Sequence, residues 1–118
     1  MFDKFFPDRY VASTYVIDFE GLYKEGVRGL IFDIDNTLVP HGAPADERAR
    51  ALFKRLKSIG FRCCLISNNQ KPRVEMFNKD IQVDYVYNAH KPSIRNYLKA
   101  MEIMGTDRDS TVFIGDQL

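Results

Sequence analysis

The sequence predicts an α/β fold, with a parallel sheet and helices on both of its faces. Three observations carry this expectation. From Val27 onward, apolar runs of strand length alternate with apolar stripes at helical spacing. Each strand-like run ends in polar residues: Asp33 and Asp35, Ser67 and Asn68, the segment leading to Lys91, and Asp116. The intervals between these clusters each hold about one helix and one strand, the size of a right-handed crossover. All four strand ends then lie on one edge of the sheet, the edge where open α/β sheets bind ligands.

The elements follow in order. Asp18 to Lys24 suggests a short helix, with Gly26 as its stop. Val27 to Asp33 reads as the first strand, buried through Leu30-Ile31-Phe32. A loop with Pro40, Gly42 and Pro44 leads to a helix opened by Asp46 and Glu47, which suit the positive end of its dipole. Ala49, Leu52, Phe53, Leu56 and Ile59 form its apolar stripe, and Gly60 its stop. Phe61 to Ile66 is the second strand. Pro72 to Lys79 is a short helix and Val83 to Tyr87 the third strand. Pro92 starts a helix with Ile94, Tyr97, Leu98, Met101 and Met104 on one face and Gly105 after it. Thr111 to Ile114 is the fourth strand. Polar groups are expected at the strand ends and not inside the strands.

A length of 118 residues provides one core. The net charge of +1 gives no nucleic-acid footprint. No apolar run approaches the roughly 20 residues of a membrane span, and the first residues lack the pattern of a secretory signal. Cys63 and Cys64 are neighbours in a strand, so their side chains face opposite ways and an internal disulfide is not expected. Small buried thiols in a reducing cytoplasm is the preferred reading. His41 and His90 read as loop residues rather than metal ligands. Residues 1–26 read as an N-terminal segment and 27–118 as the core. In the former, Phe2, Phe5, Phe6 and Tyr10 lie among Lys4 and Arg9. Rings packed onto the domain is the favoured reading; contact with a membrane interface is the alternative.

The chemistry starts at Asp33-Ile34-Asp35-Asn36-Thr37. A buried strand has no structural use for two carboxylates at its end, because desolvating them unpaired is costly. The bland reading, a solvated loop or a helix cap, does not account for polar partners at the other strand ends. Asp33 can act as a nucleophile, since carboxylates form aspartyl phosphates. Asp35 can protonate a leaving oxygen and later deprotonate a water. Ser67 and nearby amides can hold a phosphoryl oxygen, with Asn68 beside it; Asn68 and Asn69 also shape the loop. Lys91 offers a compact positive charge, at a helix start where a cation has no structural benefit. Asp116 is another hard oxygen ligand, and Gly115 before it allows close approach. Asp33 and Asp116 face to face would repel by about 4 kcal/mol at an effective dielectric of 20. Mg²⁺, which takes oxygen ligands, resolves this. Thr37 is expected to bond the motif's own backbone. Arg73 and Arg95 read most simply as solvated helix faces.

These motifs resemble the four of the haloacid-dehalogenase-like (HAD) phosphatases, and the resemblance spans Leu30 to Leu118. Met1-Phe2, Phe6-Pro7-Asp8, Ser67-Asn68-Asn69, Ala89-His90-Lys91-Pro92 and Gly115-Asp116-Gln117-Leu118 further resemble the YqeG subfamily, which is similar to phosphatidylglycerophosphate phosphatases. The resemblance implies a Rossmann-like core without a cap domain, Asp33 as nucleophile and Asp35 as acid/base. It implies Ser67 and Lys91 as phosphoryl ligands. Mg²⁺ would be held by the Asp33 carboxylate, the Asp35 carbonyl and Asp116. An Asp at position 35, where ion-transporting relatives carry Thr, implies turnover of the aspartyl phosphate. The absence of a cap implies an open site, suited to a large phosphorylated group such as a membrane phospholipid head. The expected setting is the cytoplasm, with peripheral contact at the inner face of the membrane. The family pattern continues past Leu118 with a second acidic residue, a strand and a helix. The expectation is therefore a core incomplete at its C-terminus, with an exposed strand edge where self-association can complete the sheet. Alternatives are a phosphatase for another phosphomonoester, or a non-catalytic phosphate- or partner-binding module.

Overall fold

A computed structural model describes residues 14–35, 37–40, 42–67, 70–87 and 94–115. Its sheet has four parallel strands in the order β3-β2-β1-β4: β1 Gly29–Asp33, β2 Arg62–Ile66, β3 Asp84–Val86 and β4 Thr111–Ile114. The helices are α1 Phe19–Lys24, α2 Glu47–Ile59, α3 Lys71–Asn78 and α4 Ile94–Met104. The register sets Asp33 opposite Ile66, and Phe32 opposite Ile114. The C-terminal ends of β1, β2 and β4 are thus aligned side by side.

The strand alternation sorts the core into two layers. Leu30, Phe32, Cys63, Leu65, Val112 and Ile114 face α1, α2 and α3. Ile31, Cys64, Ile66, Val86 and Phe113 face α4 through Tyr97, Ala100, Met101 and Met104. The two cysteines therefore lie on opposite faces, both buried and both free. Helices cover both faces, as the alternating pattern predicts. Residues 14–26 contribute Ile17, Phe19 and Leu22 to the larger layer. Phe2, Phe5, Phe6 and Tyr10 lie outside the described residues.

Local chemistry explains the boundaries. Asp18 caps α1 by accepting from the Gly21 N–H at 3.0 Å, and Asp46 caps α2 by accepting from the Ala49 N–H at 2.8 Å. Gly60 ends α2 at φ 119°, a conformation that carries a steric penalty for a side chain. Three expectations need correction. Leu98 does not lie on the buried stripe of α4: it is 49% exposed, and Ala100 takes the inner position. Short 3-10 turns at Thr14–Val16 and Arg108–Ser110 were not foreseen. Polar residues also stand inside strands, at their opposite ends, where Arg62 and Asp84 open β2 and β3 and pair at 3.5 Å.

Candidate active site

The loop after β1 is built by its apolar residues. Ile34, Leu38 and Val39 are buried in the α1/α2/α3 layer. The Ile34 carbonyl accepts from the N–H groups of Thr37, Leu38 and Val39 at 3.4, 3.0 and 3.4 Å. This tight turn leaves the flanking Asp33 and Asp35 half-buried at the rim. The Thr14–Val16 turn braces it from outside: the Thr14 hydroxyl donates to the Thr37 carbonyl at 3.3 Å and the Tyr15 hydroxyl to the Leu38 carbonyl at 2.7 Å. Sequence reasoning missed this brace, because its partners are backbone carbonyls that no side-chain pattern reveals.

Asp33, the last residue of β1, lies on the α4 side of the sheet by strand alternation. Its surroundings are the strand ends the sequence pointed to. A Cβ placed on Gly115, just past β4, would stand 3.7 Å from the Asp33 Cβ and only 2.8 Å from the Phe113 ring. The contact that needs a glycine is the one with the Phe113 ring; the separation from Asp33 is ordinary van der Waals contact. Ser67, just past β2, is 2% exposed, and its N–H donates to the Val86 carbonyl at 3.1 Å. Tyr97 of α4 is a further neighbour: burial pushes its hydroxyl pKa up, and the Asp33 charge adds to the shift. Asn68, Lys91 and Asp116, the remaining predicted site residues, lie outside the described residues, as do His41 and His90.

Asp35 has a partner that sequence reasoning did not assign. Its Oδ1 accepts from the Gly42 N–H at 2.8 Å and from Nη2 of Arg73 at 2.7 Å. Both side chains of this ion pair are 13% exposed. Arg73 is therefore not a solvated helix face, which corrects the expectation above; Arg95 is exposed, as expected. Two nitrogens of the same guanidinium, Nε and Nη1, are buried without a hydrogen-bond acceptor among the described residues. Such orphaned donors cost about 1–3 kcal/mol each. Thr37 bonds the motif's own backbone, as expected, by its N–H donating to the Ile34 carbonyl. Its hydroxyl is buried without a partner among the described residues, so its support of the loop runs through its backbone.

The carboxylates of Asp33 and Asp35 are hard oxygen donors. The thiols of Cys63 and Cys64 sit inside the two core layers, where burial pushes each pKa up to about 12. No cluster of three or more His, Cys, Asp and Glu capable of holding a metal occurs among the described residues. Such carboxylate oxygens suit a cation such as Mg²⁺, which binds through one or two carboxylates and leaves positions for phosphate and water. They do not suit a metal that prefers sulfur.

Known proteins resemble this chain in sequence and in fold. Residues 41–118 match the family of haloacid dehalogenase-like hydrolases. The "Probable phosphatase YqeG" of Bacillus subtilis (strain 168) is 36% identical over 120 residues, covering 100% of this chain and 70% of that protein. A hypothetical protein from Xanthomonas campestris superposes with a TM-score of 0.66 at 20% identity, over 93% of this chain and 65% of its own. A "putative 3-deoxy-D-manno-octulosonate 8-phosphate phosphatase" from Vibrio cholerae superposes at 0.67 and 17% identity, over 92% of this chain and 67% of its own. At such identities the two structures speak for the fold alone. The chain thus spans about two-thirds of the length of these relatives. Among the described residues no helix is long and apolar enough to cross a membrane. With the aligned strand ends, the matched family and the relative's identity in agreement, the chain belongs to the haloacid dehalogenase-like hydrolases, as a phosphatase of the YqeG type.

Proposed function

We propose that this chain hydrolyses phosphomonoesters through a covalent aspartyl phosphate at Asp33, with Mg²⁺ as its cofactor. The observation that supports this most is the position of Asp33: it ends a buried parallel strand, with Gly115 against it and Ser67 ending the neighbouring strand. The Asp33 carboxylate attacks phosphorus, and the bond from phosphorus to the leaving oxygen breaks. Asp35 gives its proton to that oxygen. Asp35 then takes a proton from water, the water oxygen attacks phosphorus, and the bond to Asp33 breaks to release inorganic phosphate. Ser67, Asn68 and Lys91 hold the phosphoryl oxygens. Asp33, the Asp35 carbonyl and Asp116 would hold Mg²⁺, which offsets charge on the transferring group when bound.

The substrate we infer is phosphatidylglycerophosphate, on the resemblance of the motifs and the YqeG-type relative. A phosphatase acting on it works at the inner face of the membrane, from the cytoplasmic side, through peripheral contact. A second copy pairing along β4, the outer strand of the sheet among the described residues, belongs to the same reading. The test is hydrolysis of an aryl phosphate and of phosphatidylglycerophosphate in mixed micelles, by wild type, Asp33→Asn and Asp35→Asn. The expected result is turnover of both by wild type, none by Asp33→Asn, and a fall of at least about 100-fold for Asp35→Asn, the scale of general acid–base catalysis. Full activity of Asp33→Asn would remove the nucleophile. Turnover of the aryl ester alone would remove the lipid.

A further inference from the structure

Arg73 stands in the first turn of α3, where a cation faces the positive end of the helix dipole. Lys71 is beside it, that turn holds no acidic residue, and Gln70 caps the helix without a side-chain hydrogen bond. The local sequence therefore places unrelieved positive charge at this helix end. Arg73 directs it inward to Asp35, with an exposure of only 13%. One nitrogen is used by Asp35, while Nε and Nη1, which carry most of the guanidinium protons, are buried without an acceptor among the described residues. A residue selected for packing alone would not be a guanidinium here, because a shorter or apolar side chain would bury no orphaned donors. Buried donors beside a reactive carboxylate fit an anion that arrives with the substrate. The position fits too. An acid/base carboxylate works within about 3 Å of the oxygen it protonates, so a guanidinium bonded to that carboxylate lies next to the phosphoryl group.

We propose that Arg73 is a phosphate-binding residue of this site, holding Asp35 through Nη2 and donating to a phosphoryl oxygen through Nη1. This rests on the hydrolase reading above and adds a ligand that the motifs do not contain. The planar guanidinium suits the double duty, since its in-plane donors leave along different edges, one serving the carboxylate and another the phosphate. Lysine keeps the charge and loses that geometry.

The probe is inorganic phosphate. Its inhibition constant against aryl phosphate hydrolysis is measured for the wild-type chain, Arg73→Lys and Arg73→Met. Its dissociation constant is measured calorimetrically for Asp35→Asn and for Asp35→Asn/Arg73→Met. That pair removes the ion pair from both proteins, so neither leaves a buried carboxylate alone and a folding defect in Arg73→Met does not decide the result. Phosphate should bind at least ten-fold more weakly without Arg73 in both backgrounds, with Arg73→Lys in between. Equal phosphate affinity within the Asp35→Asn pair, at similar melting temperatures, overturns the assignment, as does absence of phosphate binding in the parent. If Asp33→Asn is inactive and wild type active while phosphate affinity ignores residue 73, only the Arg73 role falls. If phosphate binding depends on Arg73 but no ester is hydrolysed, only the hydrolase reading falls.

Discussion

Replacing Thr37 by valine should make the protein more stable, which is the reverse of what most substitutions in a buried loop do. The Thr37 hydroxyl is buried and has no hydrogen-bond partner among the described residues. It has left water without compensation, a cost of about 1–3 kcal/mol. Valine keeps the β-branched shape and its rotamer preference, so the backbone conformation carries over. The bonds that matter to the loop are backbone bonds: the Thr37 N–H to the Ile34 carbonyl at 3.4 Å, and the Thr37 carbonyl to the Thr14 hydroxyl at 3.3 Å. Neither involves the hydroxyl of residue 37. The expected gain is about 1 kcal/mol, taking the low end because the methyl must fit where oxygen was. For a chain between the sizes usually calibrated, that is a rise of about 3–6 °C in Tm. Thr37→Ser is the control: it keeps the orphaned hydroxyl and loses a methyl, so it should cost about 0.8 kcal/mol. Urea denaturation of the three proteins, with an unchanged slope as the check on two-state behaviour, reads both values. A valine variant less stable than wild type, by as much as the serine variant, would refute the reasoning, because the hydroxyl would then have a partner in solution.

Two further outcomes follow from the same structure. Gly115→Ala would place a Cβ 2.8 Å from the Phe113 ring, which is buried and packed 5.1 Å from Tyr97, so the ring has no cheap escape. The expected cost is about 1–3 kcal/mol, together with a fall in aryl phosphate turnover because the strain is delivered beside Asp33; an unchanged melting temperature would show that the contact yields. Cys63 and Cys64, with thiol pKa values pushed up to about 12 by burial, should resist alkylation by iodoacetamide at pH 8 in the folded protein and react in urea. Their folded pKa values lie above the reference value of 9.0. Their contribution to stability is therefore complete below pH 9 and is lost as pH rises from about 9 to about 12, which pH-dependent urea melts would register; a flat profile there would contradict it.

The parts of the molecule that were legible in the sequence share one property: their chemistry is unusual for the element that holds them. Two carboxylates at the end of Leu30-Ile31-Phe32 cannot be explained by a buried strand, so Asp33 and Asp35 are conspicuous without any structure. Caps are legible for the same reason. Asp18, Asp46 and Gly60 are poor interior residues and good terminal ones, and the structure uses them as such. The strands were found within a residue or two because apolar runs bounded by glycine and polar groups leave little freedom. What stayed hidden is chemistry that looks ordinary where it sits. Leu98 is a leucine on an amphipathic helix, but the face that α4 turns to the sheet is Tyr97, Ala100, Met101 and Met104, which leaves Leu98 outside.

Arg73 is the most consequential case. An arginine near the start of a short helix is expected to be solvated, and by itself it is. Its burial is imposed from elsewhere: β1 and β2 are adjacent, so the loop after β1 and the start of α3 meet across the sheet edge. That meeting joins residues 38 positions apart. Thr14 and Tyr15 reach the same loop through its carbonyls, again from a distant segment. The pattern has a physical cause. Local sequence reports the needs of the element a residue belongs to, whereas Arg73, Thr14 and Tyr15 answer needs of a different element. A site built at a sheet edge, where several loops converge, will therefore show its reactive groups in the sequence and conceal the groups that hold them.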